Sequence, residues 1–169
     1  MKKKYLIVSA LCLAAGVLVG LFLFSLLRHR QQQARIERLP VFAALALDGT
    51  AFSSSALPAS RRTAVLFFSP DCEFCRVELD HIVRRGNKWD DVRWLLVTVA
   101  DRTAVLDFLM DCPADALPDA HILLDEQGSV FSLFDVTAPP VLHVYDENRR
   151  LMHSGKGATS ISVINQWLQ

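Results

Sequence analysis

The chain has 169 residues, enough for one domain of ordinary size plus a terminal appendage, and 51% of them are hydrophobic. Its zero net charge is unevenly distributed: residues 1–40 carry seven Lys/Arg and one Glu, whereas residues 41–169 carry eleven Lys/Arg and seventeen Asp/Glu. The acidic larger part argues against nucleic-acid binding, and four cysteines are too few for a disulfide scaffold.

The N-terminal segment, residues 1–27, predicts a basic tail and a membrane anchor. Three lysines precede Tyr5–Leu27, a stretch without any charged residue that would extend about 35 Å as a helix and cross a bilayer with some tilt. No small-x-small cleavage motif follows, and Leu11 is too large to precede a lipidated Cys12, so we expect an uncleaved single-pass anchor. The lysines favour a cytoplasmic N-terminus, although the arginines after the span oppose that orientation.

Residues 28–39 are expected to be a polar linker, and residues 40–169 to be a domain of alternating strands and helices. Apolar runs predict the strands, and apolar residues at helical spacing predict the helices. The expected strands are 41–47, 63–69, 92–100, 121–124, 141–145 and 151–154, and the expected helices begin at Cys72, Asp101, Gly128 and Ser160. This order predicts an α/β domain, and the turn before the last strand predicts an antiparallel hairpin in a mixed sheet flanked by helices.

A pair of cysteines follows the most apolar of these strands. The run Ala64–Phe68 ends at Ser-Pro-Asp, and Cys72 and Cys75 then fall in the first turn of the predicted helix. Unpaired N–H groups and the helix dipole favour the thiolate there, and the spacing allows a small Cys72–Cys75 disulfide that opens and reforms. We interpret the pair as a dithiol–disulfide redox site. Half of a zinc site or a chance pair of core cysteines are the alternatives, but no second Cys-x-x-Cys motif supplies further ligands.

Other residues allow more than one interpretation. Glu78, one turn beyond Cys75, is either a solvated helix residue or a proton acceptor acting on that thiol. The Pro139–Pro140 pair is either a stiff loop or a functional segment. His121 and His143 have no partner at metal-ligand spacing. Cys112 is expected to pack at a helix end, and a role in a mixed disulfide or a dimer is the alternative.

Together, these features resemble the membrane-anchored thioredoxin-like thiol–disulfide oxidoreductases of the TlpA/ResA type. Three segments of residues 40–169 carry the resemblance: 67–78 around the cysteines, 134–142 around the proline pair, and the strand–glycine–helix ending near Gly155 and Gly157. The sequence departs from the family pattern at Asp71, at Val141 and in the dipeptide between the cysteines, so substrate choice and redox potential are not implied.

The resemblance implies a role for each matching residue. Cys72 would be the exposed attacking thiol and Cys75 the buried resolving thiol, with Glu78 as an acidic residue acting near them. Pro140 would be a cis-proline lying against the disulfide, and Pro139, Pro140 and Phe74 would form the substrate-binding surface. We expect no metal and no cofactor.

The expected function is a membrane-tethered oxidoreductase in the inner membrane of a bacterium, with its domain facing the periplasm or the exterior. Its partners would be protein thiol or disulfide substrates and a membrane or periplasmic electron donor. Asp71, Glu73 and Glu78 disfavour thiolates by like charge, which predicts a reductant. The alternatives are a copper metallochaperone on the same fold and a peroxide-reducing relative, whose usual Pro-x-x-x-Thr-x-x-Cys pattern is absent.

Overall fold

The computed structural model describes residues 16–28 and 34–168, and the chain divides into two compact units on either side of the Arg35–Ile36 bond. In the first unit, residues 16–28 form a helix, α1. The basic tail and the first part of the predicted span Tyr5–Leu27 lie outside the described residues. Within the part of the chain that is described, no helix is both long enough and apolar enough to span a membrane.

The second unit is built on one mixed sheet with helices around it. Its strands in chain order are β1 Ala43–Ala46, β2 Ala51–Ser53, β3 Arg62–Phe67, β4 Val92–Thr98, β5 Ala120–Leu124, β6 Val141–Tyr145 and β7 Leu151–Lys156. Its helices are α2 Glu73–Val83, α3 Arg102–Asp111, α4 Ser129–Leu133 and α5 Ile161–Trp167. The predicted α/β class and mixed sheet are confirmed.

The sheet order brings two loops that are distant in sequence together at one end of the strands. The strands lie in the order β2-β1-β5-β4-β3-β6-β7, with β3, β4 and β5 parallel and the remaining neighbours antiparallel. Because β6 runs against β3, its first residue Val141 pairs with Phe67, the last residue of β3. The loop that carries the cysteines therefore lies beside the loop that carries the two prolines.

Both faces of the sheet are covered, which explains why its central strands are apolar throughout. Ala64, Leu66 and Phe68 face one core together with Cys75 and other residues of α2. Val65 and Phe67 face a second core. There, the Phe67 ring meets the rings of Phe131 and Phe134 at centroid distances of 5.1 and 5.0 Å. The strand that leads to the cysteines is thus held from both sides.

The last residues of the predicted linker belong to the domain. The Leu39 N–H donates to the Arg149 carbonyl oxygen and the Leu151 N–H to the Glu37 carbonyl oxygen, both at 2.8 Å. These bonds attach the chain to the outer edge of β7, close to where residue 36 begins the compact unit. Pro40, the predicted first residue of the domain, follows this attachment.

A buried carboxylate organises the start of α4. Asp125 Oδ2 accepts hydrogen bonds from the backbone N–H groups of Val130 and Phe131, and its Oδ1 accepts one from the Ser129 hydroxyl, each at 2.9 Å. These contacts satisfy N–H groups that the helix itself leaves without acceptors. They also fix α4, which carries Phe131 into the second core.

Candidate redox site

Cys72 lies at the junction of the β3 loop and α2, as predicted. Its N–H donates to the Ser69 carbonyl oxygen at 3.1 Å, closing a turn, and the residue caps α2. Its sulfur accepts a hydrogen bond from the Cys75 N–H at 3.3 Å. The Cys72 sulfur therefore lies at the N-terminus of α2, with a backbone N–H pointing toward it. Cys72 is half-buried, whereas the other two free cysteines, Cys75 and Cys112, are buried.

The proline loop packs directly against this sulfur. The Cys72 thiol donates to the Pro139 carbonyl oxygen at 3.8 Å, a weak contact typical of sulfur. The Pro139–Pro140 peptide bond is cis, as the family resemblance implied for Pro140. Pro140 is buried, and Pro139, which is half-buried, lies at the surface next to the thiol. Cys72 and Pro139 are therefore neighbours at the surface, with Pro140 buried behind Pro139.

Cys75 differs sharply from its neighbour in exposure and acidity. Its side chain is only 1% exposed. Burial, the adjacent Cys72 thiol and the charge of Glu78 raise the pKa of Cys75 to about 12. Cys75 is therefore a protonated thiol at neutral pH. Cys72, Cys75 and Cys112 are all free thiols in the structure, and the Cys72–Cys75 disulfide stays a prediction.

Glu78 lies inside the protein. It is 3% exposed, so the interpretation as a solvated helix residue is wrong. Its Oε2 accepts a hydrogen bond from the Thr159 N–H at 3.2 Å, while Oε1 has no hydrogen-bond partner among the described residues. Burial raises the pKa of this carboxyl to about 7, against 4.5 for an ordinary glutamate. Glu78 can thus gain or lose a proton near neutral pH.

A groove of about 580 Å³ lies beside α2, next to Glu78. Phe74 projects into solvent at its rim with 70% of its surface exposed, which is unusual for so large an apolar side chain. The groove is formed by one face of α2 and the segment before α5, and its lining residues are Glu73, Phe74, Val77, Glu78, His81, Ala158, Thr159 and Ser160. Phe74 is placed where a bound polypeptide could contact it.

Thr159 and Ser160 were not expected at this site. The sequence marks only a glycine-rich ending before the last helix. The Glu78–Thr159 contact joins residues 81 positions apart, so no local pattern could reveal it. The sequence does show the strand–glycine–helix ending that contains these two residues. Its position beside α2 depends on the order of the strands in the sheet, which local sequence does not reveal.

The remaining candidate residues, Cys112, His121 and His143, pack in the domain or contact a neighbouring side chain. Cys112 is buried at the end of α3, and burial raises its pKa to about 11. His121 contacts Asp119 at 3.3 Å. His143 is buried in the second core, and desolvation lowers its pKa to about 4. No group of three or more His, Cys, Asp or Glu side chains suited to a metal occurs among the residues that the structure describes.

Several solved structures are similar to this chain. One is dsbF from Mycobacterium tuberculosis, with a TM-score of 0.67, 23% identity, and coverage of 80% of this chain and 95% of that one. A thiol:disulfide interchange protein from Chlorobium tepidum has a TM-score of 0.65, 18% identity, and coverage of 78% and 92%. Peroxidoxin BcpB from Mycobacterium tuberculosis has a TM-score of 0.63, 16% identity, and coverage of 78% and 91%. No protein-family model matches the sequence, and no curated protein matches it significantly.

These similarities establish the thioredoxin-like fold. The domain described above has that fold, and its structural neighbours include thiol–disulfide oxidoreductases, in agreement with the resemblance found in the sequence. A peroxidoxin has the same fold, so the fold alone does not determine the reaction. The reaction has to be argued from the thiols.

Proposed function

We propose that this protein is a thiol–disulfide oxidoreductase that cycles between the Cys72/Cys75 dithiol and a Cys72–Cys75 disulfide. The observation that carries the proposal is the pairing of a half-exposed, helix-capping Cys72 with a buried, protonated Cys75, beside the cis Pro139–Pro140 bond. Attack and resolution need two such thiols in different environments.

The reaction transfers two electrons in two exchanges. The Cys72 thiolate attacks one sulfur of a substrate disulfide, so the substrate S–S bond breaks and a mixed disulfide forms while the released thiolate takes up a proton. Cys75 then loses its proton and attacks the Cys72 sulfur. The mixed disulfide breaks, the Cys72–Cys75 disulfide forms, and the substrate leaves fully reduced. A dithiol protein must next reduce the Cys72–Cys75 disulfide to restore the starting state.

Glu78 is suited to the second exchange. The resolving thiol has a pKa of about 12, so its proton must be removed as it attacks. Glu78 has a pKa of about 7, and its charge is one cause of the raised Cys75 pKa. We propose that the Glu78 carboxylate accepts this proton, directly or through a water molecule.

We propose that the protein works as a reductant. Oxidants of this fold depend on a strongly stabilised thiolate. Here the resolving thiol is protonated, and Glu78 disfavours its charge. Asp71 and Glu73 add two exposed carboxylates beside Cys72. We expect a reduction potential nearer the thioredoxin value of about −270 mV than the roughly −120 mV of DsbA.

We further propose that the protein is tethered to the inner membrane of a bacterium, with the domain in the periplasm or outside the cell. Support comes from the uncharged stretch Tyr5–Leu27 behind three lysines, of which residues 16–27 are helical. The substrates would be protein disulfides, and the electron donor a membrane or periplasmic dithiol protein. A reporter that fluoresces only in the cytoplasm, fused after Gln169, should stay dark, and a fluorescent fusion would refute this orientation.

The activity can be tested with the full chain in a non-ionic detergent. Insulin reduction with dithiothreitol should be accelerated by the wild type and lost in Cys72→Ser, whereas Cys75→Ser should accumulate mixed disulfides that non-reducing gels reveal. Cys112→Ser is the matched control and should behave as wild type. A wild type that does not accelerate insulin reduction but retains copper through desalting would instead support the metallochaperone.

A further inference from the structure

Two arginines face each other where the chain joins the sheet. Arg38 and Arg150 form an antiparallel bridge. The two hydrogen bonds beside it join Leu39 to Arg149 and Leu151 to Glu37, so Arg38 and Arg150 are a non-hydrogen-bonded pair. In such pairs the Cα atoms are only about 4.5 Å apart and the side chains lie on the same face. The two arginine side chains therefore leave neighbouring backbone positions on the same face.

Within residues 16–28 and 34–168, no carboxylate forms an ion pair with either arginine. Both arginines are exposed. Neither guanidinium has a carboxylate oxygen within 4.0 Å among the described residues. Arg38 Nη2 donates a hydrogen bond to the Asn148 carbonyl oxygen at 3.5 Å. Three acidic residues lie nearby. Glu37 is on the same segment as Arg38, and Asp146 accepts hydrogen bonds from backbone N–H groups. Glu147 lies 4.0 Å from Arg62. Like charges placed directly opposite each other destabilise a sheet, so an anion from outside would stabilise this arrangement.

The arginine pair lies at the end of the sheet that is remote from the thiols. β7 begins at Leu151, opposite Tyr145, and Tyr145 pairs with Thr63 near the start of β3. The thiols follow the other end of β3, beyond Phe67. The strand between Thr63 and Phe67 separates the two ends by about 13 Å. The chain also enters the domain at this remote end, through residues 36–39.

We propose that Arg38 and Arg150 bind the headgroups of anionic phospholipids and seat this end of the domain on the bilayer. Guanidinium groups bind phosphate in a bidentate manner, and each basic residue near an anionic surface adds appreciably to membrane affinity. The proposal rests on the membrane tether proposed above, because the tether brings the arginine pair to the lipid surface. Seated in this way, the domain presents Cys72 on the side facing away from the membrane.

The test is a footprint of individual arginines in the full chain, inserted into nanodiscs of neutral phospholipid alone or of neutral phospholipid mixed with phosphatidylserine. Phenylglyoxal modifies exposed guanidinium groups, and mass spectrometry reads each site. We expect Arg38 and Arg150 to be modified at least about fivefold more slowly in the anionic discs, because one basic residue at the surface corresponds to a factor of about five. Arg85 and Arg102, exposed residues elsewhere on the domain, serve as internal controls and should react equally in both.

A charge-reversal variant separates lipid binding from folding. Arg150→Glu turns the like-charge bridge into an ion pair, so its melting temperature should equal or exceed that of the wild type while Arg38 loses its protection. Arg85→Glu is the matched control, and in this variant Arg38 should stay protected in the anionic discs. Equal modification of Arg38 and Arg150 in both lipids would overturn the proposal, as would protection by inorganic phosphate in neutral discs, which would indicate a soluble anion. If the chain failed to insert into the nanodiscs, the proposed membrane tether would be refuted but the arginine pair would not. Protection of Arg38 and Arg150 by added anionic vesicles would then test the pair by itself.

Discussion

Glu78→Gln should stabilise the protein at alkaline pH because it removes a buried charge. A carboxyl whose folded pKa lies above its unfolded value contributes stability that is fully present below the unfolded pKa and is lost as the pH rises through the folded pKa. For Glu78 these values are 4.5 and about 7. At 1.36 kcal/mol for each pH unit, the wild type loses about 3 kcal/mol across this window.

The variant cannot lose this free energy. Glutamine keeps an oxygen that can accept the Thr159 N–H, but it does not ionise. The quantity to measure is the free energy of unfolding of the variant minus that of the wild type, from urea titrations of the full chain in detergent between pH 4 and 9. Groups common to both proteins cancel in this difference, which should rise by about 3 kcal/mol between pH 4.5 and 8.

Glu73→Gln provides the matched control, since Glu73 is an exposed glutamate on the same helix. It shows what removing a carboxylate from the surface of α2 does to stability. A pH-independent difference for Glu78→Gln would show that the folded protein does not perturb the Glu78 carboxyl, and the proton-acceptor role would lose its basis. The insulin reductase rate of Glu78→Gln should also fall, because Cys75 would lose its proton acceptor.

Further predictions concern thiol reactivity, acid stability and helix capping. Brief iodoacetamide treatment of the reduced protein at pH 7 should label Cys72 faster than Cys75, because Cys75 is buried and protonated; the reverse order would exchange their roles. His143→Phe should protect against acid unfolding, because the wild type should lose about 3 kcal/mol of unfolding free energy as the pH falls from 6.5 to about 4. An equal loss in the variant would show that His143 is not the cause. Asp125→Ala should cost about 3 kcal/mol in urea unfolding because it leaves buried N–H groups without acceptors, whereas the exposed cap variant Asp101→Ala should cost only about 1 kcal/mol; equal costs would contradict this reasoning.

Most elements could be predicted because their patterns are local. β6 has the predicted bounds, and Asp101 caps α3 through the Ala104 N–H, as expected. The strand Ala51–Ser53 was missed because three residues, one of them serine, carry too little pattern. The end of α2 at Val83 is less plain from local pattern, because Gly86 lies beyond it, where an added Cβ would meet the Leu117 side chain at 2.8 Å.

The site was predictable to the extent that its residues are close in sequence. The cysteine spacing after an apolar strand locates Cys72 at the cap of α2, and the adjacent prolines indicate the second loop. The burial of Glu78 could not be decided in advance, because its carboxylate is covered by the segment around Thr159, far along the chain. The groove follows from the same long-range packing.

The hairpin of β1 and β2 has a consequence for how the chain folds during synthesis. β1 adds to the sheet only through β5, where Leu45 pairs with Leu124, and the chain before it is bonded to Arg149 and Leu151. The first strands of the domain to be synthesised must therefore wait for nearly the whole domain before their partners exist. Closing such long loops is slow. A ribosome stalled before β5 should leave the hairpin exposed to proteases, and release beyond β7 should protect it.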